Sequence, residues 1–243
     1  MRMNPAVKAL ALALLLAASL AAPAAAQQLY RPRAIAQAFA KGTRSPDGRP
    51  GPRYWQNRAR YDITITATPP DRTVRGTETI TYVNNSPDSL ANLVIKLFLN
   101  IHRPGAPRNG GASEDYLTSG VHVDRFAVNG AAAPWQGDDR YFTWHPVHLP
   151  AKLAPHDSVR LAFDWHYEIS KEAGREGMLD GTTWYLAYFY PRVAVYDDYN
   201  GWDTMDFTDT QEFYSDFNAA TRRRSRRIRR STSPPPRTWR RTA

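Results

Sequence analysis

An all-β fold, built as an antiparallel β-sandwich or saddle-like sheet, is predicted by three features of this 243-residue chain. Several segments alternate apolar and polar residues with period two, turn signals rich in Gly, Pro and Asn separate them, and only one short stretch has a helical pattern. Seven Trp and an aromatic content of 12% supply large side chains for a core, and because the chain has no cysteine that core must hold the fold without disulfides.

The first strand is read from Tyr61, Ile63, Ile65 and Ala67 alternating with Asp62, Thr64, Thr66 and Thr68, and it stops at Pro69-Pro70. A second runs from Thr73 to Val83 and ends at Asn84-Asn85-Ser86-Pro87. A third, Leu93 to Ile101, puts Leu93, Ile95, Leu97 and Leu99 on one face and Val94, Lys96 and Phe98 on the other. Residues 103–120 hold Pro104, Pro107 and four glycines and are read as a loop.

Strands resume at Val121 to Val128, which ends in the hairpin dipeptide Asn129-Gly130. Tyr141 to Trp144 is a short strand. Val159 to Ile169 is a long one, with Val159, Leu161, Phe163, Trp165 and Tyr167 facing one way and Arg160, Asp164, His166 and Glu168 the other. Thr182 to Tyr190 is a nearly continuous aromatic run bounded by Gly181 and Pro191, read as the last strand.

The ends have a different character. Arg2 and Lys8 precede an apolar stretch from Ala9 to Ala22 and the small residues Ala24-Ala25-Ala26, so residues 1–26 read as a cleaved secretory signal and the expected location is periplasmic or secreted. The stretch is shorter than the roughly 20 apolar residues a bilayer span requires, and Pro23 interrupts it, so no stable membrane span is expected. Residues 27–54, broken by Pro32, Pro46, Pro50 and Pro52, form a leader or linker with a short helical possibility at Ala34 to Ala40. Residues 55–218 form the β domain.

Residues 219–243 contain ten Arg and no acidic residue, more than the whole formal charge of +9, so residues 1–218 carry a net −1. Without Arg2 and Lys8, residues 27–218 carry −3. The basic balance therefore belongs to a disordered tail. CGN arginine codons read one base out of register derive from codons for Asp, Val, Ala and Gly, so an Arg, Ser, Thr and Pro-rich stretch is what shifted GC-rich coding DNA produces. A frameshifted or prematurely ended frame is favoured over a functional basic tail, and no nucleic-acid partner is expected.

Six histidines, at positions 102, 122, 145, 148, 156 and 166, were tested for ligand spacing. Only His145 and His148 are close, and with Pro146 between them in a strand-and-turn context residues i and i+3 face opposite ways, so they read as exposed turn histidines. No H-E-x-x-H occurs, and no G-x-S-x-G elbow selects a nucleophile. The acidic cluster Asp197, Asp198, Asp203, Asp206, Asp209 and Glu212 fits no standard calcium loop; it reads as a solvated loop with a turn at Asn200-Gly201. No catalytic, cofactor-binding or metal-binding residue is therefore assigned.

The order of R-Y-D-I-T-I-T at 60–66, G-T-E-T-I-T-Y-V-N-N at 76–85 and L-V-I-K-L-F-L-N at 93–100 resembles the opening of exported bacterial zinc metallopeptidases of the aminopeptidase N type. The run W-Y-L-A-Y-F-Y-P-R-V-A-V-Y-D-D-Y-N-G-W at 184–202, followed by Q-E-F-Y-S-D-F-N at 211–218, resembles the end of that family's N-terminal β domain. The resemblance implies a β saddle that packs on a thermolysin-like catalytic domain and helps wall its substrate pocket. The family's G-x-M-E-N, H-E-x-x-H, distant Glu and oxyanion Tyr have no counterpart here, so the implied role is non-catalytic, in a fragment without the family's zinc. Its expected partner is the catalytic domain of the parent peptidase, met through aromatic and acidic positions of residues 184–212. The alternative is a freestanding secreted β-sandwich that binds a glycan or peptide through aromatics such as Trp184, Tyr185, Tyr188 and Tyr190.

Overall fold

The computed structural model describes residues 30–135 and 141–209, together with the backbone of residues 220 and 221. The signal reading for residues 1–26, Glu212 and nearly all of the basic tail lie outside the described residues. Among the described residues, no helix is long and apolar enough to cross a membrane.

The leader wraps onto the domain. Its helix α1 (Arg33–Lys41) follows Pro32 and stops at Gly42, whose φ of 72° gives the left-handed cap that releases the chain into a turn. Ala38 is fully buried, and Thr43 Oγ1 and the Arg44 guanidinium both bond the Asp198 carboxylate, Arg44 at 2.8 Å. This apolar-plus-ionic docking holds the leader against residues from the far end of the domain.

Strands β1 (Arg58–Thr68) and β2 (Asp71–Val83) pair antiparallel along their whole length. Ala59, Tyr61 and Ala67 are buried and Ile63 and Ile65 half-buried, as the alternation required. β3 (Leu90–Lys96) begins earlier and ends sooner than expected. Leu93, Val94, Ile95 and Lys96 are all buried, so both faces are covered and no alternation marks its end. Residues Phe98–His102 then form a 3₁₀ turn in which all five side chains are buried, correcting the reading of a strand to Ile101.

β4 (Val121–Val128) turns at Asn129 and Gly130, with φ of 51° and 86°, into the short β5 (Ala131–Ala132). This is the two-residue hairpin that the Asn-Gly dipeptide specifies. β6 (Trp144–Leu153) passes through Pro146 and Pro150 and is longer than expected. It is an edge strand of its sheet, where a proline's missing N–H costs no ladder bond. His145 and His148 therefore lie on a strand rather than in a turn, paired with Ile95 and Asn92 and facing opposite ways.

β7 (Ser158–Glu168) carries the strongest alternation, with Val159, Leu161, Phe163, Trp165 and Tyr167 all buried. The aromatic run that follows is mostly not a strand. β8 (Glu176–Met178) pairs with β9 (Trp184–Leu186), and Tyr188 then takes a φ of 57°, outside any strand conformation. β10 (Arg192–Val193), β11 (Tyr196–Asp197) and β12 (Gly201–Trp202) are two-residue pairings, the last two joined by the Asn200-Gly201 turn.

The strands form a six-stranded sheet in the order β13-β1-β2-β7-β4-β5, where β13 (Ala220–Thr221) lies parallel to β1 and every other pair is antiparallel. A three-stranded antiparallel sheet, β10-β3-β6, packs against it. One core joins the two, with Ile80, Phe163, Trp165 and Tyr167 from the large sheet against Leu93, Ile95 and Val147 from the small one. The Val193 N–H also donates to Tyr61 Oη at 3.1 Å, tying β10 to β1. The architecture is the all-β sandwich-like fold expected.

Candidate functional site

The 3₁₀ turn after β3 presents His102, and the first residue of β8 is Glu176, at the wall of a cleft of about 340 Å³. Gly177 adopts a φ of 134°, and a Cβ there would lie 1.9 Å from the Glu172 carbonyl oxygen, so only glycine lets the 172–177 turn close and bring Glu176 inward. His102 Nε2 lies 2.7 Å from Glu176 Oε2, with both side chains more than nine-tenths buried. Despite this proximity Oε2 makes no well-formed hydrogen bond. The other ring nitrogen, Nδ1, faces the Tyr116 carbonyl oxygen at 2.9 Å, and the two rings lie 4.2 Å apart.

Aromatic groups close the cleft. Phe98 and Phe207 meet edge to face at 5.3 Å, and Tyr188 packs on both, at 5.9 and 5.8 Å. Its left-handed backbone conformation turns Tyr188 away from β9 and into this cluster, where Arg175 Nη1 donates to its hydroxyl at 2.9 Å. The Tyr116 phenol is pushed up to about 12 by burial first and the Asp209 carboxylate second, so it stays protonated. An imidazole, carboxylates and phenols thus line an aromatic cleft, and among the described residues no Ser lines it with them. The arrangement is suited to holding a polar group.

Of the residues singled out from sequence, His122, His145 and His166 border one cleft and the others lie apart from it. His145 packs on Trp135 at 4.3 Å and His148 is exposed. His122 and His166 stack at 4.9 Å on β4 and β7, and the His156 N–H donates to the Asn84 carbonyl. Four acidic positions are structural rather than solvated, which corrects the reading of a solvated acidic loop. Asp197 accepts from the N–H groups of Tyr199 and Asn200, Asp198 from Thr43 and Arg44, and Asp206 from Thr143; Asp203 pairs with Lys96 at 3.0 Å. Asp209 borders the cleft. Among the described residues no group of three or more His, Cys, Asp or Glu could hold a metal ion.

His102 was weighed only for ligand spacing and Glu176 not at all; the two are far apart in the chain and belong to no motif. A histidine in an otherwise apolar run was the sole local signal.

No protein-family model matches the sequence, and no curated protein is similar to it. Solved structures similar to the chain are M1 zinc metallopeptidases. A substrate-bound variant of the Deinococcus radiodurans enzyme has 19% identity and a TM-score of 0.34, covering 54% of this chain and 24% of that one. The M1 zinc metallopeptidase from the same organism has 19% identity and a TM-score of 0.33 over 52% of this chain and 23% of that one. A two-domain M1 zinc metallopeptidase bound to L-arginine has 18% identity and a TM-score of 0.33, over 49% and 22%. The chain therefore spans about a quarter of the length of these structures. The fold assignment rests on the sheets described above.

Proposed function

We propose that this chain is the N-terminal β domain of an aminopeptidase N-like zinc metallopeptidase, exported and architectural, with no catalytic residues of its own. Zinc, its ligands and the general base would come from a catalytic domain outside this sequence, against which residues 184–209 would pack and whose substrate pocket they would help wall. The motifs at 60–66, 76–85, 93–100 and 184–202 and their order suggest the family. The observation that carries the role is where apolar surface is left uncovered. Of the four large apolar side chains exposed among the described residues, Leu179 (60%), Tyr185 (43%) and Met205 (72%) all lie within 179–205. Tyr185 and Met205 fall in 184–209, which supports reading that segment as the partner-facing surface.

The freestanding aromatic binder is less well supported. Trp184, Tyr188 and Tyr190 are half-buried against the core, and of the four aromatics named for it only Tyr185 is exposed.

The test is to sequence the gene through the codons for Phe217 to Arg224 and onward, and to assay the purified chain for aminopeptidase activity with and without a chelator. The expected result is no activity, together with a one-base change that opens a frame encoding an apolar strand and, later, H-E-x-x-H. Chelator-sensitive turnover by this chain, or a sound frame with no such sequence beyond it, would overturn the proposal.

A further inference from the structure

The open edge of the large sheet carries a second cleft, of about 360 Å³, whose walls use none of the residues of the first. The first half of β4 forms this edge, because β5 pairs with it only at Ala127 and Val128. We propose that this cleft binds a neutral carbohydrate, with a sugar ring against its aromatic wall and the hydroxyls held by Arg103, Asp124 and His166.

A bulge builds the polar side. The β4–β7 register shifts between Val123 and Arg125, leaving Asp124 outside the ladder and free to face β7 rather than alternate with its neighbours. Bulges at sheet edges commonly re-aim a side chain in this way. Asp124 Oδ2 accepts from His166 Nδ1–H at 2.8 Å, which fixes the tautomer and orientation of that imidazole. His122, the register partner of His166, stacks on it with rings 14° from parallel and places Nε2 2.8 Å from Ser119 Oγ. Four polar side chains on neighbouring strands and the preceding loop are thus set by bonds to one another before any ligand arrives.

The opposite wall is aromatic. Tyr141 and Trp144 pack at 4.0 Å, and Trp135 lies behind them on His145, Phe126 and Phe163. Phe142 carries the Arg103 guanidinium 5.6 Å above its ring. Half-buried rings in an open cleft offer an apolar surface that remains accessible.

Charge and hydrogen-bonding capacity select the ligand. Among the described residues the cleft is lined by one arginine, Arg103, and one carboxylate, Asp124, so a phosphate would meet Asp124 and an amine would meet Arg103. Burial, then neighbouring His166, with Arg103 adding to them against Asp124, holds His122 below the ordinary imidazole range, so it adds no charge at neutral pH. A pyranose satisfies both walls: its C–H face covers an aromatic ring, and each hydroxyl donates to Asp124 or accepts from Arg103. The volume lies at the lower end of small-molecule sites, the scale of a sugar and not of a protein segment.

The proposal does not depend on the metallopeptidase reading and is tested on the full chain. Cellotriose, chitotriose and mannotriose are titrated separately, with tryptophan fluorescence and calorimetry as readouts. Saturable binding of at least one, with a dissociation constant of about 1 mM or tighter, is expected, weakening about tenfold or more in Tyr141→Ala and His166→Ala at unchanged circular dichroism. If His166→Ala fails to fold, Asp124→Asn, an exposed side chain, serves in its place. Absence of binding by all three sugars, or binding that survives these substitutions unchanged, would overturn it.

Discussion

Gly76 on β2 and Trp165 on β7 are register partners, and the missing side chain at 76 makes room for the indole: a Cβ there would lie 2.2 Å from Trp165 Cζ2. Trp165 is almost fully buried and stacks on Tyr167 at 6.0 Å, so it has nowhere to retreat without disturbing the centre of the core. Gly76→Ala is expected to destabilise the domain by about 1–3 kcal/mol, the usual cost of overpacking, despite the entropy that the substitution removes from the unfolded chain. Denaturant midpoints together with the near-ultraviolet circular dichroism of the tryptophans check this. An unchanged midpoint would show that the indole has a second place to go.

Glu78, two residues further along β2, is buried with neither carboxylate oxygen hydrogen-bonded. Burial pushes its carboxyl well above the usual range; the nearby Trp165 indole offsets this only in part, without bonding it in good geometry. The folded state therefore holds a proton that the unfolded chain releases near the ordinary value of 4.5. Stability is fully present below that value and falls as pH rises from it through the raised folded value. Glu78→Gln should flatten this decline, and Glu78→Leu should raise stability at neutral pH by about 1–3 kcal/mol, because no buried partner is lost. Midpoints measured between pH 4 and 8 would refute the account if wild type and Glu78→Gln ran parallel.

The legible parts of the fold were those where one face meets the core and the other water. β1 and β7 announced their registers through Tyr61 and Ala67, and through Phe163 and Trp165, because the side-chain period of a half-buried strand is two. β3 was legible as an element but not in extent. Covered on both faces, it reads as one apolar run, and nothing local separates Lys96 from the 3₁₀ turn that begins at Phe98. Pro146 and Pro150 disguised β6, since their acceptability depends on the strand lying at an edge, which is a property of the whole sheet. The candidate sites were not legible at all. His102 meets Glu176, and His166 meets Asp124, across long intervals of chain, so their meanings arise from topology rather than spacing.

The leader is held by Asp198. Burial would raise that carboxyl, but the bonds from Arg44 and Thr43 outweigh it and hold it below the usual carboxylate range. Docking is therefore at full strength above the ordinary value of 3.8 and is lost as pH falls through the lower folded value. Asp198→Asn removes the charge that Arg44 pairs with; at about 1.5–3 kcal/mol for a charge-assisted bond, opening of residues 30–53 should become tenfold to a hundredfold easier. Limited proteolysis at neutral pH measures this opening directly. Equal cleavage rates in wild type and variant would mean that Ala38 and its apolar contacts hold the leader without help.

Lys96 and Asp203 tie the small sheet to the segment that precedes the cleft. Lys96 is buried, lies 3.0 Å from Asp203, and donates from Nζ to the Met205 carbonyl oxygen at 2.7 Å. Burial holds its ammonium below the ordinary range, and the Asp203 carboxylate opposes that shift, so the charge persists because its partner is present. Lys96→Met should cost about 3–5 kcal/mol, since the stem is replaced in shape while Asp203, which keeps only the Met205 N–H, is left nearly buried without its counter-charge. Adding Asp203→Asn should recover much of the loss, because the uncompensated charge, not the missing attraction, is the larger penalty. A double-mutant cycle on unfolding midpoints separates the two: additive losses would mean that the charges act independently, and recovery that they act as one pair.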